Sequence, residues 1–233
     1  MPLKTIIGLT LGLLSISALT ASPVVLTNGP ASLGSGSEMT AWIQAENFSL
    51  PTNTLIDGVI FRAFIATFGA GYSGSVAYQI YSNSAGLPGS LLLSGTANPI
   101  PVATGAVGVS SSVYPEFILS FGITPFLATA GTQYWLGLHN GPLSLQTRDE
   151  FYWEGALPNT GNQPTGLGDP APFDGNFSLE ALTDHAFQLT GTEVPEPSTV
   201  PMIAVGLLAI AASRRSSWVK PFPAARQFSK NLS

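Results

Sequence analysis

Few side chains in this 233-residue chain can move a proton or attack a bond, and their placement narrows the chemistry further. Cysteine is absent, which removes thiolate nucleophiles, cysteine-based zinc sites and iron–sulfur chemistry. The only imidazoles are His139 and His185. His139 precedes Asn140-Gly141, where a strand should turn, and is expected to be a solvated loop residue. His185 adjoins Asp184 and is expected to be structural. A hydrolytic triad needs nucleophile, base and orienter together. No Gly-x-Ser-x-Gly elbow exists, since Gly71-Tyr72-Ser73-Gly74 has the wrong spacing. The remaining hydrolytic option is the acid group Asp149, Glu150 and Glu154, because two carboxyls a few ångströms apart can cleave a glycosidic bond. Strand spacing puts Glu150 and Glu154 on one face with Phe151 and Trp153 opposite, the pattern of a solvated charged face.

Two binding chemistries are also open. Asp169, Asp174 and Asn176 sit in a loop-like region and could offer hard oxygen ligands to calcium, although no EF-hand spacing is present. Exposed aromatic faces stack on the C–H groups of sugars, and Trp42, Tyr72, Trp135, Tyr152 and Trp153 are the candidates for glycan contact. Against them stands the tendency of strands to bury their rings, so none is singled out.

The elements that must position these residues are short strands. Gly, Ser and Pro clusters punctuate apolar runs between Pro23 and Glu193, and no sustained helical period appears. Residues 22–38 read as a leader ahead of the domain. A first strand or two lies within Met39 to Leu50, and Ile56 to Phe68 is the longest run, apolar on both faces. Val76 to Tyr81 alternates as a half-buried strand, and Ser82 to Ser90 reads as a turn before Leu91 to Ala97. Ala106 to Val109, Phe117 to Phe121, Gln133 to Leu138 and the Phe151–Trp153 stretch follow. Asn159 to Gly175 reads as a long loop, and Phe177 to Leu182 with Ala186 to Leu189 closes the domain. About nine or ten such strands predict an all-β fold, an antiparallel sandwich of jelly-roll type over residues 39–191.

Composition sets the surroundings. Charged residues are 9% of the chain, against a usual ~25%, yet 13 Phe, 6 Tyr and 4 Trp give it the material for a core. From Ala31 to Glu193 the only cations are Arg62 and Arg148, while twelve acids run from Glu38 to Glu193. An acidic body lacks the basic footprint that nucleic acid requires, so nucleic-acid binding is rejected. At the N-terminus, Lys4 precedes an apolar run from Ile6 to Leu14 that continues weakly to Leu19, with small residues after it. Residues 1–21 are therefore expected to be a signal peptide cut near Ala21. An exported protein without disulfides must depend on core packing, which a domain of this length can supply.

The C-terminal stretch is the most distinctive. Val194-Pro195-Glu196-Pro197-Ser198 leads into an apolar run from Val200 to Ala212, then Ser213 and the paired Arg214 and Arg215. Proline cannot continue a strand, so the start of the stretch stays extended. As a helix, Val200 to Ala212 would span about 20 Å, short of the ~30 Å hydrocarbon core. A transmembrane segment over 199–213 therefore borrows Thr199 and Ser213, with the arginines stopping it on the cytoplasmic side. Residues 216–233 form a basic cytoplasmic tail.

Pro-Glu-Pro, apolar helix and basic stop, in that order over 194–215, resemble the PEP-CTERM sorting signal of Gram-negative envelope proteins. In that family the chain usually ends a few residues after the stop, whereas eighteen more follow here. The middle of the chain resembles the β-sandwich domains that precede such signals. The likeness is carried by Ile80-Tyr81 with Ala85-Gly86-Leu87-Pro88-Gly89, by Phe117–Phe121 through Pro125-Phe126-Leu127 to Gly131-Thr132-Gln133-Tyr134-Trp135-Leu136, and by Asp184-His185-Ala186-Phe187-Gln188-Leu189. The resemblance implies an inner-membrane precursor whose tail an exosortase removes at Pro195-Glu196-Pro197, releasing a cell-surface or matrix protein associated with exopolysaccharide and biofilm. The expected role is non-enzymatic, structural or adhesive, with no cofactor unless calcium binds. A secreted carbohydrate-active hydrolase using the 149–154 acids and an unprocessed, singly anchored domain remain as alternatives.

Overall fold

The computed structural model describes residues 21–67, 71–108, 114–157, 166–179 and 184–195. Thirteen strands are assigned among them: β1 (Val24–Asn28), β2 (Ala31–Glu38), β3 (Trp42–Ser49), β4 (Thr54–Ile65), β5 (Val76–Ser84), β6 (Leu87–Ala97), β7 (Val102–Val107), β8 (Pro115–Ala128), β9 (Gln133–Asn140), β10 (Phe151–Ala156), β11 (Leu167–Pro170), β12 (Ser178–Leu179) and β13 (Phe187–Glu193). They form two antiparallel sheets. In the first, β1 pairs with β13, β13 with β4 and β4 with β8, while β10 joins β4 beyond β13 and carries β2 on its far side. The second runs β12-β11-β3-β9-β5-β6.

The pairings β1–β13, β3–β9, β4–β8 and β5–β6 nest inside one another like a long hairpin wound around itself. That nesting is the jelly-roll order the sequence predicts. The innermost turn is Ala85-Gly86, both with positive φ (52° and 85°), the backbone that a two-residue hairpin of matching twist demands. β6 therefore begins at Leu87 rather than Leu91.

Two other expectations change. The leader 22–38 is built into the sheet as β1 and β2, which pair with β13 and β10. The loop 159–175 contains β11, which pairs along β3 from Leu167↔Ala45 to Pro170↔Trp42. The longest apolar run, β4, is bent: a register shift between Ile56 and Gly58 changes parity, so Ile56 and then Val59, Phe61 and Ala63 all reach the core between the sheets. Trp153, Phe151, Tyr78, Leu136 and Leu138 fill the same core. A second cluster of Ile43, Ala45, Tyr81, Trp135, Leu167 and Phe177 lies on the opposite face of the second sheet, with Phe173 packed against it. This cover explains why β5 and β9 are buried on both faces and not half-exposed.

The expected signal peptide 1–21 lies outside the described residues except for its last position. The segment 199–213 and the tail lie wholly outside them. Among the described residues no helix is long and apolar enough to cross a membrane. By compactness the chain divides into Met1–Val194 and Pro195–Ser233.

Candidate functional site

Alternation along β10 sends Phe151 and Trp153 into the core and leaves Tyr152 and Glu154, with Glu150 just before the strand, on the outer face of the first sheet. Beside them runs a groove of about 210 Å³ whose lining includes Gly34, Gly36, Phe64, Gly108, Tyr114 and Tyr152. The Tyr114 and Tyr152 rings meet edge to face, with centroids 5.8 Å apart at 84°. Both hydroxyls donate to Glu150 Oε2, at 3.3 Å from Tyr114 and 2.7 Å from Tyr152. Arg148 donates to the Tyr152 hydroxyl at 3.4 Å. Burial, with the Glu150 carboxylate adding to it against Arg148, pushes the Tyr152 hydroxyl up to about 12, so it stays protonated at neutral pH.

Further along the same face, Glu154 and Glu116 are 0% and 2% exposed. This overturns the expectation that the 149–154 acids form one solvated face. Glu154 Oε1 accepts the Leu33 N–H at 2.6 Å, while Oε2 has no bond of ordinary geometry. Burial first, and then the neighbouring Glu116 carboxyl as a loose partner and a like charge, push Glu154 up to about 8. Burial also presses Glu116 upward, but hydrogen bonds from Thr104, Arg62 and Glu154 outweigh it and hold Glu116 below the ordinary range. Arg62 Nη1 lies 2.8 Å from Glu116 Oε1, and the Thr104 hydroxyl donates to Oε2. Arg62 also borders a cleft of about 490 Å³, together with Thr27, Pro30, Ile60, Ile118 and Gln188.

The histidines are both anchors. His139 is a β9 residue with no exposed surface, which corrects its reading as a solvated loop residue. Its Nδ1 faces the Gly141 carbonyl at 3.1 Å and its Nε2 the Thr40 carbonyl at 2.8 Å. His185 lies inside the sandwich, stacked on Trp153 at 4.6 Å, with Nδ1 3.2 Å from Glu46 Oε2.

The five aromatic candidates are not brought together. Trp153 is fully buried and its indole N–H donates to the Ala186 carbonyl at 3.1 Å. Trp135 is buried in the second cluster and donates to Asn83 Oδ1 at 3.0 Å. Neither presents a ring face, which corrects them as glycan contacts. Tyr72 packs on Phe151 at 5.5 Å and donates to the Pro99 carbonyl at 2.7 Å. Trp42 is half-buried opposite Pro170. Tyr152 alone of the five enters a groove, and its partners there, Phe64 of β4 and Tyr114 just before β8, come from elsewhere in the chain, a juxtaposition that no sequence spacing announces.

The calcium candidates meet, but as a hydrogen-bonded turn. Asp169 is a buried β11 residue whose Oδ2 accepts the Gly175 N–H at 3.0 Å. Burial raises its pKa, against the Gly175 N–H, with Asp174 adding to the rise. Asp174 accepts the Asn176 backbone N–H at 3.2 Å and its side-chain amide at 2.7 Å. Donors thus occupy Asp169 Oδ2 and both Asp174 oxygens, while the buried Asp169 Oδ1 has no hydrogen-bond partner. Among the described residues no three His, Cys, Asp or Glu side chains converge on a metal position.

Val194 follows β13 directly, exposed, with its N–H bonded to the Asn53 carbonyl at 2.7 Å. Pro195 is the last described residue; Glu196, Pro197, Ser198, Arg214 and Arg215 lie outside the described set. Residues 193–215 match the family model of the PEP-CTERM protein-sorting motif. No curated protein and no solved structure matches the chain. The motif marks the chain for export, with a membrane-anchored C-terminal precursor and an exosortase as its processing partner.

Proposed function

We propose that the protein is a non-catalytic component of the extracellular matrix, delivered by removal of its C-terminal segment and associated there with polysaccharide. The observation that carries this reading is the position of the sorting motif. Among the described residues the last strand ends at Glu193, and the matched segment begins at that same residue, so the signal starts where the described sheet ends.

A binding role rather than turnover is supported by the acids. Glycosidic cleavage asks for two carboxyls flanking one bond, about 5 to 9.5 Å apart, with access for the sugar. Glu150 stands at the groove, whereas Glu154 lies buried beneath the Leu33 amide and against Glu116. Asp149, half-buried like Glu150, accepts the Glu150 N–H at 2.8 Å. With Glu154 withdrawn from the surface, tyrosine and carboxylate at a groove suit recognition.

Replacing Pro195, Glu196 and Pro197 together by alanine tests the delivery step. In host cells the variant is expected to accumulate with the membrane fraction, while the parent protein reaches the medium or cell surface. Equal release of both, followed by immunoblotting of the fractions, would overturn the reading.

A further inference from the structure

The groove on the outer face of the first sheet has the makings of a selective site. We propose that it binds one uncharged pyranose ring of a polysaccharide, seated on the Tyr114–Tyr152 pair with Glu150 accepting from its hydroxyls. This deepens the polysaccharide association proposed above and rests on it.

Size comes first. At about 210 Å³ the groove falls below the ~300 Å³ at which drug-sized pockets begin, which suits a single ring with its neighbours outside. The walls fit a sugar's two kinds of surface. Tyrosine rings carry negative π faces that attract the weakly positive C–H groups of a pyranose, and Phe64 extends the apolar floor. Gly36 keeps that floor flat: a Cβ there would come within 3.0 Å of the Trp153 carbonyl oxygen and 3.1 Å of Tyr152 Cβ. On the rim, a Cβ on Gly34 would meet only Ser32, at 3.8 Å, so the approach is open.

The polar groups are set from outside the lining. Glu150 Oε2 already takes both tyrosine hydroxyls, which fixes the carboxylate beside the rings. An ionised carboxylate has about four lone-pair positions, so capacity remains for the hydroxyls of a sugar. Tyr152 keeps its proton at neutral pH, which preserves this arrangement.

Charge decides among ligands. Twelve acids against two cations between Ala31 and Glu193 repel an anionic glycan. The edge-to-face contact closes the two rings on each other, and Arg148 sits at the Tyr152 hydroxyl, so an alkylammonium cage is disfavoured too. An uncharged sugar is not repelled by the acids or by Arg148, and it needs one ring face to stack on rather than a space between the two rings.

The test uses the unprocessed full chain in a sugar-free detergent, because maltoside headgroups would compete. Failure to bind then leaves the sorting reading standing, and failure of processing leaves binding standing. Cellohexaose, mannohexaose, dextran, a polyguluronate hexamer and tetramethylammonium are titrated by calorimetry. At least one of the three neutral glycans is expected to bind saturably, with a tenfold or greater loss in Tyr152→Ala and in Tyr114→Ala and a several-fold loss in Glu150→Gln. Gly34→Trp, which places a bulky ring at the open rim and leaves the tyrosines and Glu150 unaltered in sequence, is expected to abolish binding at an unchanged melting temperature. Absence of binding to all three neutral glycans, binding confined to polyguluronate or tetramethylammonium, or undiminished binding in Gly34→Trp would overturn the assignment.

Discussion

Glu154 holds a proton that a glutamate of its sequence neighbourhood would normally have lost. With the folded carboxyl at about 8 and its ordinary value 4.5, the folded state retains this proton across that interval while the unfolded chain releases it. The group's contribution to stability is therefore full below about pH 4.5 and is lost as the pH rises toward 8. Glu116, held low, titrates below this window, and Arg62 stays charged throughout. Glu154→Gln cannot ionise but still offers an oxygen to the Leu33 N–H. The melting temperature of the parent protein, minus that of Glu154→Gln, is expected to fall steadily between pH 5 and 8.5 in thermal scans. A difference that stays flat across this range would show that Glu154 ionises normally. Neither this carboxyl nor His139 was legible as a buried group, because burial comes from β2 in one case and from the Thr40 and Gly141 backbone in the other. Both partners of Tyr152 in the groove are equally remote in sequence.

Among the elements, alternation made the central strands readable: Tyr134, Leu136 and Leu138 do share one face against Trp135. Edges and inserts were harder. β2 is rich in Gly and Ser and carries little apolar pattern, since its pairing to β10 is mostly a matter of backbone. β8 continues through Pro125 to Ala128, where the ring's missing N–H interrupts a strand that is otherwise paired to β4. Two changes test the elements. At the hairpin tip, Ala85 occupies a left-handed conformation that costs a residue with a Cβ about 1–2 kcal/mol. Ala85→Asn gives the Asn-Gly pair favoured in such turns, and a gain of about 0.5–1 kcal/mol is expected. That corresponds to a melting temperature higher by about 1–4 °C for a domain of this size. At the register shift between β13 and β4, a Cβ on Gly191 would collide with the Leu55 carbonyl oxygen and come within 3.0 Å of Ile56 Cα. These are backbone atoms with no rotamer to yield. Gly191→Ala is expected to cost about 2–3 kcal/mol by chemical denaturation.

At the scale of the whole molecule, two pieces of physics act in series. The nested pairings β1–β13, β3–β9, β4–β8 and β5–β6 bring the chain's first and last described strands side by side. The sorting motif then begins as the last strand ends. Because the core between the sheets is built without disulfides, export places no demand on cysteine oxidation. Read from the sequence, a helix over the short apolar run before Arg214 and Arg215 would span about 20 Å against a ~30 Å hydrocarbon layer. Such an anchor suits a precursor that is held only until it is cut.

The mass of the protein recovered from the outer surface or medium of its own host, with an active exosortase present, tests this most directly. The account predicts a C-terminus close to Pro195-Glu196-Pro197, with Arg214, Arg215 and Trp218 gone from every recovered molecule. Recovery of chains that still carry residues 214–233 would contradict it.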